Sequence, residues 1–412
     1  MKNIFLLLLS ILCFPVSVFT QNIGIGTNIP AFKLDVKNGS INTDSVYRIS
    51  SKTVLSIKGT HNTFIGIGAD SSITTGSNNT ASGYQALYFN TTGEINTAIG
   101  TTALYNNTSG YRNVAIGSSA LYTNTAGYYN TAVGALALAN STATENTAVG
   151  YYTLAFNTTG RQNTASGALA LTSNTIGDYN TANGYSALYS NTSSNGNVAI
   201  GYHALYSATS GFNTAIGAYT MDGNINGSLN TAIGCYADVS PYNGNISNSI
   251  VIGNSAIVDG SNKVRIGNGI ITSIGGQVGW STFSDARYKQ NIEEDVPGIL
   301  FINKLRPVTY TVDSKSLAEN YYKLKPGIAS SSNNSYRHTG FIAQEVERSA
   351  LELGFSFSGV DKPQQPNGLY GLRYAEFVVP LVKAVQELSK ENDELKNKIK
   401  ELLERIVAIE KM

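Results

Sequence analysis

The chain has 412 residues, which is too many for one simple domain, so two or three structural units are expected. Its formal net charge is +1 and only 13% of its residues are charged, so bulk electrostatics indicate neither nucleic acid nor any other highly charged partner. Hydrophobic residues make up 42% of the chain and tyrosine accounts for 25 residues, which excludes a disordered polypeptide.

Residues 1–20 are predicted to be a secretory signal peptide. Lys2 supplies the positive start, residues 4–19 are largely apolar, and a plausible cut lies before Gln21. The apolar run is short for a membrane span, although a retained N-terminal anchor is the alternative. Either reading places the protein outside the cell or on its surface. With the signal removed, Cys235 is the only cysteine, so no intrachain disulfide is possible.

Residues 21–58 are predicted to form a small N-terminal module. Short alternating polar and apolar runs indicate strands, and Asn38-Gly39 is typical of a tight hairpin turn.

Residues 59–283 repeat the unit Asn-(Thr/Val)-(Ala/Phe)-x-Gly. Ten successive intervals between its asparagines are 16 or 17 residues long, and near the end the Ile-Gly pair recurs after 19 and then 14 residues. So regular a period predicts a β-solenoid, in which each coil stacks on its neighbours. The repeated glycine is expected to supply a positive φ at a corner. The asparagines are Asn62, Asn79, Asn96, Asn113, Asn130, Asn146, Asn163, Asn180, Asn197, Asn213 and Asn230.

This repeat resembles the head repeats of trimeric autotransporter adhesins, which are left-handed parallel β-rolls. The unit here is longer than in those heads, so a short helix or a wider loop is expected in the second limb of each coil.

The array contains only eleven charged residues between positions 60 and 282, which excludes a nucleic-acid-binding stripe. Its repeated Asn and Thr residues predict ladders of side-chain hydrogen bonds. Repeated Tyr and Asn are also typical of surfaces that bind glycan or protein. Asn90 and Asn157 match the N-glycosylation pattern, which in a repeat follows from composition.

Residues 284–374 regain charge and are predicted to form a small α+β domain. Residues 375–412 are predicted to be a coiled-coil helix, because Leu381, Leu388 and Leu395 continue a heptad in which Asn392 is the polar position. The core helix of a globular domain is the alternative. The residue types in the heptad favour a dimer.

The junction reads Ser284-Asp-Ala-Arg-Tyr-Lys-Gln-Asn-Ile292 and is followed by three further motifs, at residues 305–310, 340–346 and 374–388. In this order the four motifs resemble the endosialidase-type intramolecular chaperones, C-terminal domains that trimerise a fibre and then cut themselves off. The resemblance implies a homotrimer and a catalytic dyad of Ser284 and Lys289. Asp285 and Arg287 would support it, and the cut would fall beside Ser284, most simply after Phe283.

A serine needs a base, and lysine acts as a base only when it is neutral. Burial and the charge of Arg287 would both favour the neutral amine of Lys289. Residues five apart do not face each other on a helix or a strand, so the segment must bend or Lys289 must come from a neighbouring chain. The alternative is structural: Asp285 and Lys289 form a helical ion pair, and Ser284 is the N-cap.

These observations predict an exported, trimeric, fibrous surface protein of the adhesin or tail-fibre type. Its fold class is mainly β, and its enzymatic activity would be at most a single self-cleavage by a serine peptidase. The alternatives are a glycan-binding or glycan-degrading tail spike, or a trimeriser without peptidase activity. The expected partner is the chain itself, with a surface glycan or protein as a further candidate for the shaft. We expect no cofactor, no nucleic acid and no membrane span after signal removal. We also expect no metal, since His61, His203 and His338 lie in no metal motif.

Overall fold

The computed structural model describes residues 23–25, 34–36, 46–239, 245–269, 271–313, 316–317, 337–365 and 368–412. The predicted signal peptide and the Asn38-Gly39 turn lie outside these residues. Within them, no helix combines the length and the apolar character that crossing a membrane requires.

The repeats form a β-solenoid of about 12 turns over residues 63–266, which confirms the predicted mainly β fold. Each coil contributes one three-residue strand, and successive strands pair in parallel with Thr or Val opposite its counterpart in the next coil. The strands are Thr63–Ile65, Thr80–Ser82, Thr97–Ile99, Val114–Ile116, Thr131–Val133, Thr147–Val149, Thr164–Ser166, Thr181–Asn183, Val198–Ile200, Thr214–Ile216, Thr231–Ile233, Ile250–Ile252 and Val264–Ile266. We call this solenoid the shaft.

An antiparallel hairpin covers the first coil of the shaft. Its strands are Val46–Ile49 and Lys52–Ser56, and the second pairs antiparallel with Thr63–Ile65, which completes a 15-stranded sheet. Two smaller parallel pairs are present as well, Ile23–Ile25 with Leu34–Val36, and Asp238–Val239 with Ile257–Val258.

The second limb of each coil consists of turns, so of the two alternatives from the sequence the wider loop is correct and the short helix is not. In the coil that begins at Thr97, Gly100 has φ 132°, as predicted for the repeated glycine, and a Cβ there would lie 2.6 Å from the carbonyl oxygen of Gly117. Thr102, Leu104 and Arg112 also have left-handed φ values of 54°, 51° and 54°. Left-handed backbone strains L-residues. Hydrogen bonds between coils hold it in place, such as Leu104 N–H to Ala120 O at 2.9 Å.

The core of the shaft consists of stacked columns of small and branched apolar residues. Ala98 from the strand and Ala103 and Leu104 from the second limb are fully buried, and equivalent residues repeat through the shaft. Alanine at two of the three places lets the strand and the second limb of each coil approach closely across the core.

A buried asparagine ladder runs along the shaft, which confirms the structural reading of the repeated Asn. The backbone N–H of Asn113 donates to Oδ1 of Asn96 at 3.0 Å, and Nδ2 of Asn113 donates to the carbonyl of Gly127 at 2.8 Å. Ser249 continues the ladder by donating its N–H to Oδ1 of Asn230 at 3.1 Å. Each amide thus satisfies buried backbone groups that would otherwise be unpaired.

A second buried ladder includes the residues that match the glycosylation pattern. Nδ2 of Asn107 donates to Oδ1 of Asn90 at 2.8 Å, and Nδ2 of Asn174 donates to Oδ1 of Asn157 at 2.7 Å. Asn90 and Asn157 are fully buried, so in the folded shaft neither presents its amide to a glycosylating enzyme.

The C-terminal domain is a small α+β unit built around aromatic residues. Phe301, Val346, Ala350 and Phe377 form its buried core. Its strands Val308–Tyr310 and His338–Gly340 pair antiparallel, as do Val360–Asp361 and Gly371–Leu372. Its helices are Ile299–Ile302 and Ala343–Glu352, and a 3-10 turn at Tyr374–Phe377 leads into the long C-terminal helix Val378–Glu410.

Asp70 occupies, in the first coil, the place that leucine fills in the next coils. Its N–H donates to Ala86 O at 3.0 Å, as Leu87 N–H donates to Ala103 O at 3.0 Å, and their φ values are 49° and 53°. Asp70 is buried, and neither carboxyl oxygen has a hydrogen-bond partner. Burial raises the pKa of Asp70 from 3.8 to about 7, against the opposing effect of the Lys58 charge.

We predict that Asp70→Leu stabilises the shaft more at pH 8 than at pH 4. Because the folded-state pKa of Asp70 is raised, the stability associated with the protonated carboxyl is fully present below the unfolded value of 3.8 and is lost as the pH rises to about 7. Urea unfolding at the two pH values measures the difference. Asp70→Asn, which removes only the charge, should abolish the same pH dependence. An equal effect of Asp70→Leu at both pH values would contradict the prediction.

Candidate active site

The junction between the shaft and the C-terminal domain is an exposed linker. Every described residue from 271 to 295 is exposed. Phe283 is completely exposed, so the peptide bond that joins it to Ser284 is open to solvent in the single chain.

A short 3-10 turn, Ala286–Tyr288, bends the linker directly after Ser284. Asp285 caps this turn, because its Oδ1 accepts a hydrogen bond from the backbone N–H of Arg287 at 2.9 Å. The guanidinium of Arg287 returns to the same carboxylate, with Nη2 at 2.7 Å from Oδ2. One side chain therefore both caps the turn and fixes the arginine.

The turn brings Lys289 back to Ser284. Nζ of Lys289 lies 2.7 Å from Oγ of Ser284 and donates a hydrogen bond to it. The same short distance would let a neutral amine accept the hydroxyl proton, which is the geometry that a serine–lysine dyad requires. Residues five apart do not face each other in a regular helix or strand, and the bend brings Lys289 and Ser284 together within one chain.

The structural alternative from the sequence is wrong in both of its parts. Asp285 pairs with Arg287, whereas the alternative paired it with Lys289. Asp285, and not Ser284, is the N-cap of the turn. Ser284 and Lys289 are both exposed in the single chain, and the expected burial of Lys289 stays a prediction for the assembly. Whatever removes water from the dyad must come from outside this segment.

The ion pair determines the electrostatics of the turn. Hydrogen bonds from the Arg287 side chain and then from its backbone N–H hold the pKa of Asp285 below its usual range. The Arg287 charge is therefore largely matched by the Asp285 carboxylate.

Two of the histidines considered in the sequence analysis, and a buried aspartate of the shaft, lie away from the junction. His203 stacks on Tyr202, with ring centroids 4.3 Å apart, and His338 lies in a strand opposite Tyr310. Burial raises the pKa of Asp238, in the shaft, to about 7. In the part of the chain that the structure describes, no group of three or more His, Cys, Asp or Glu side chains is placed to hold a metal ion.

Comparison with known proteins supports the resemblance of the C-terminal segment to the endosialidase-type chaperones. Residues 284–354 match a family model described as a chaperone of endosialidase, which confirms the resemblance for this segment. The match begins at Ser284 and does not extend into the shaft. Among curated proteins, no match to the chain is found. A β-solenoid shaft followed by an endosialidase-type chaperone domain fits the class of tail-fibre-like trimeric proteins.

Sequence reasoning missed several residues that position this domain. Glu387, on the C-terminal helix, accepts a hydrogen bond from the N–H of Ile299 at 2.8 Å and so ties the helix to the start of the domain. Lys263, Asp361 and Gln364 join the domain to the shaft. These partners lie far apart in sequence, and no local motif marks them.

We predict that the pKa of Asp285 rises toward its ordinary value in Arg287→Ala. The depressed pKa means that the ion pair is complete above the ordinary pKa of an aspartate and is lost as the pH falls through the lower folded value. Carboxyl-carbon NMR titration of full-length Ser284→Ala protein would measure it. Arg265→Ala, in the shaft, is the control and should leave the Asp285 titration unchanged. An Asp285 pKa that Arg287→Ala does not move would contradict the pairing.

Proposed function

We propose that the protein is an exported homotrimeric fibre of the tail-fibre or adhesin type, and that its C-terminal domain drives assembly and then cuts the chain at Ser284. The observation that carries the proposal is the 2.7 Å contact between Nζ of Lys289 and Oγ of Ser284, located where the chaperone match begins. Export rests on the sequence of residues 1–20 alone.

The exposed face of the C-terminal helix supports the homotrimer. Both positions of the heptad lie on the surface of the single chain: Leu388 and Leu395 are 55% and 51% exposed, and Val385 and Ile399 are 63% and 56% exposed. Such a continuous apolar seam is stable in water only when other helices cover it. We follow the chaperone resemblance in assigning three helices where the residue types alone favour two.

The proposed cleavage uses only groups of the junction. Neutral Lys289 accepts the Ser284 hydroxyl proton while Oγ attacks the carbonyl carbon of Phe283. The bond from that carbon to the Ser284 nitrogen breaks, Lys289 returns the proton to this nitrogen, and an ester joins Phe283 to Ser284. Water then hydrolyses the ester, giving a carboxylate at Phe283 and a free amine and hydroxyl at Ser284.

The turn prepares this chemistry, and assembly would complete it. The Asp285–Arg287 pair holds the bend that brings Lys289 to Ser284. Because the dyad is exposed in the single chain, neighbouring chains of the trimer are proposed to exclude water from it and so favour the neutral amine. Cleavage would then report correct assembly.

The shaft is proposed to carry the interaction with an outside partner. Tyrosines of successive coils stack on its surface, with ring centroids of Tyr88 and Tyr105 5.3 Å apart and those of Tyr105 and Tyr122 5.2 Å apart. Such aromatic rows suit a glycan or a protein surface, and the scarcity of charge on the shaft means that binding would depend little on salt.

We predict that the assembled wild-type protein separates into two fragments on a denaturing gel. The fragments contain residues 21–283 and 284–412, or 263 and 129 residues. Ser284→Ala and Lys289→Ala should each leave the full-length band. Asp285→Ala, which loses both the cap and the ion pair, should slow cleavage more than Asp285→Asn, which keeps a capping oxygen. If the assembled wild-type protein gives only the full-length band, the domain is a trimeriser without peptidase activity.

We predict that Leu395→Asp disrupts the trimer, because a carboxylate in a covered apolar seam costs several kcal/mol. That cost weakens assembly by about a hundredfold or more. Asn397→Asp introduces the same charge two residues away, outside the seam, and is the matched control. Sedimentation velocity of the full-length protein distinguishes trimer from single chain. A Leu395→Asp variant that sediments like the control would show that the helix does not hold the assembly.

A further inference from the structure

The C-terminal domain contacts the end of the shaft through the side-chain amide of Gln364, which forms the two hydrogen bonds that a neighbouring strand would form. Oε1 of Gln364 accepts a hydrogen bond from the N–H of Ser261 at 3.0 Å, and Nε2 of Gln364 donates to the carbonyl of Ser261 at 3.3 Å. Both backbone groups of Ser261 are therefore paired by one amide. At the last coil of the shaft, where no further coil follows, such groups would otherwise need another partner.

An ion-pair network lies beside this amide. Nζ of Lys263 is 3.2 Å from Oδ1 of Asp259 in the same coil and 3.3 Å from Oδ1 of Asp361 in the C-terminal domain. Arg373 reaches the same oxygen of Asp361 at 3.3 Å. The Lys263 side chain is only 14% exposed and that of Asp259 only 4%, so water screens these pairs less than a surface pair.

The distribution of charge along the shaft points to the same place. Three of its eleven charged residues, Asp259, Lys263 and Arg265, fall between residues 259 and 265 at the end of the shaft. Gly260 lies between the two sets of contacts, and a Cβ at this position would be 2.6 Å from Cδ of Gln364. The end of the shaft thus concentrates charge at its contact with the C-terminal domain, whereas the other eight charged residues are spread over residues 70–238.

The linker does not provide an equivalent attachment. Its residues 271–295 are exposed, and a Cβ added to Gly275 or Gly279 would meet no atom within 4 Å. A cut at Ser284 would leave Ser261 and Lys263 on one fragment and Asp361 and Gln364 on the other. The contacts just described, which we call the shaft–chaperone contact, would then join two separate polypeptides.

We propose that the shaft–chaperone contact keeps the C-terminal domain bound to the shaft after the linker is cut, so that cleavage and release are separate events. The proposal concerns how the two parts stay together and holds whether the cut is made by Ser284 or by another protease. Its binding partner is the last coil of this chain's own shaft, recognised by one backbone-pairing amide and one partly buried ion pair.

The test separates retention from self-cleavage. In full-length Ser284→Ala protein, a recognition site for an added protease is inserted between Gly276 and Gly279, and the shaft carries an affinity tag. After complete cutting, the C-terminal fragment should stay on the affinity resin with the shaft. Asp361→Ala combined with Gln364→Ala should raise the dissociation rate of the fragment by on the order of tenfold or more, because it removes both partners of the last coil.

Two further variants make the result specific. Gly260→Val alters the contact from the shaft side by displacing Gln364 and should also speed release. Lys362→Ala is the matched control in the same loop, because Lys362 pairs with Glu347 inside the C-terminal domain, and it should release at the original rate. The proposal is overturned if the cut protein falls apart at once, or if the variants in the contact release no faster than Lys362→Ala.

Discussion

The buried asparagine ladder is the interaction on which the rest of the shaft depends. A coil with one three-residue strand leaves most of its backbone groups outside a regular sheet. Backbone hydrogen bonds between coils pair most of these groups, and the ladder amides pair an N–H of the next coil and a carbonyl in a turn. The ladder also limits how the repeat can vary. Where one interval shortens, Asn146 N–H still reaches Oδ1 of Asn130 at 3.0 Å, and where another lengthens, Ser249 takes the asparagine's place. Length changes are therefore absorbed in the turns.

The sequence predicts the shaft well, since a repeat in one dimension gives the stacking of coils directly. It predicts the stacked coils, the glycine at the corner and the asparagine ladders because each recurs at a fixed place in the unit. The backbone path of the second limb is harder to predict from the sequence. Leucines such as Leu104 adopt left-handed backbone there, a conformation that local propensities disfavour and that only bonding to the next coil maintains. The same stacking buries Asp70 where a hydrophobic residue would fit.

At the junction, the sequence predicts that Ser284 and Lys289 are partners, but it does not predict the 3-10 turn that brings them together. The spacing of four between Asp285 and Lys289 suggested a helical pair, whereas the structure uses the spacing of two between Asp285 and Arg287 to hold a 3-10 turn. Spacing rules derived from long helices do not describe so short a turn. The contact between Gln364 and Ser261 joins residues 103 apart through a neutral amide, and neither residue type marks such a role.

The exposure of the dyad is the reason that the proposed cleavage is coupled to the proposed assembly. A serine–lysine dyad works only when the lysine amine is neutral, so geometry alone does not make Lys289 a base. The single chain already supplies the 2.7 Å approach, and what it lacks is exclusion of water. The apolar seam of the C-terminal helix is likewise incomplete in one chain. Association of chains would bury the seam and, by the same event, bring neighbouring surfaces toward the linkers. A dyad that is positioned in the single chain but desolvated only in the assembly would stay inactive until the shaft had partners.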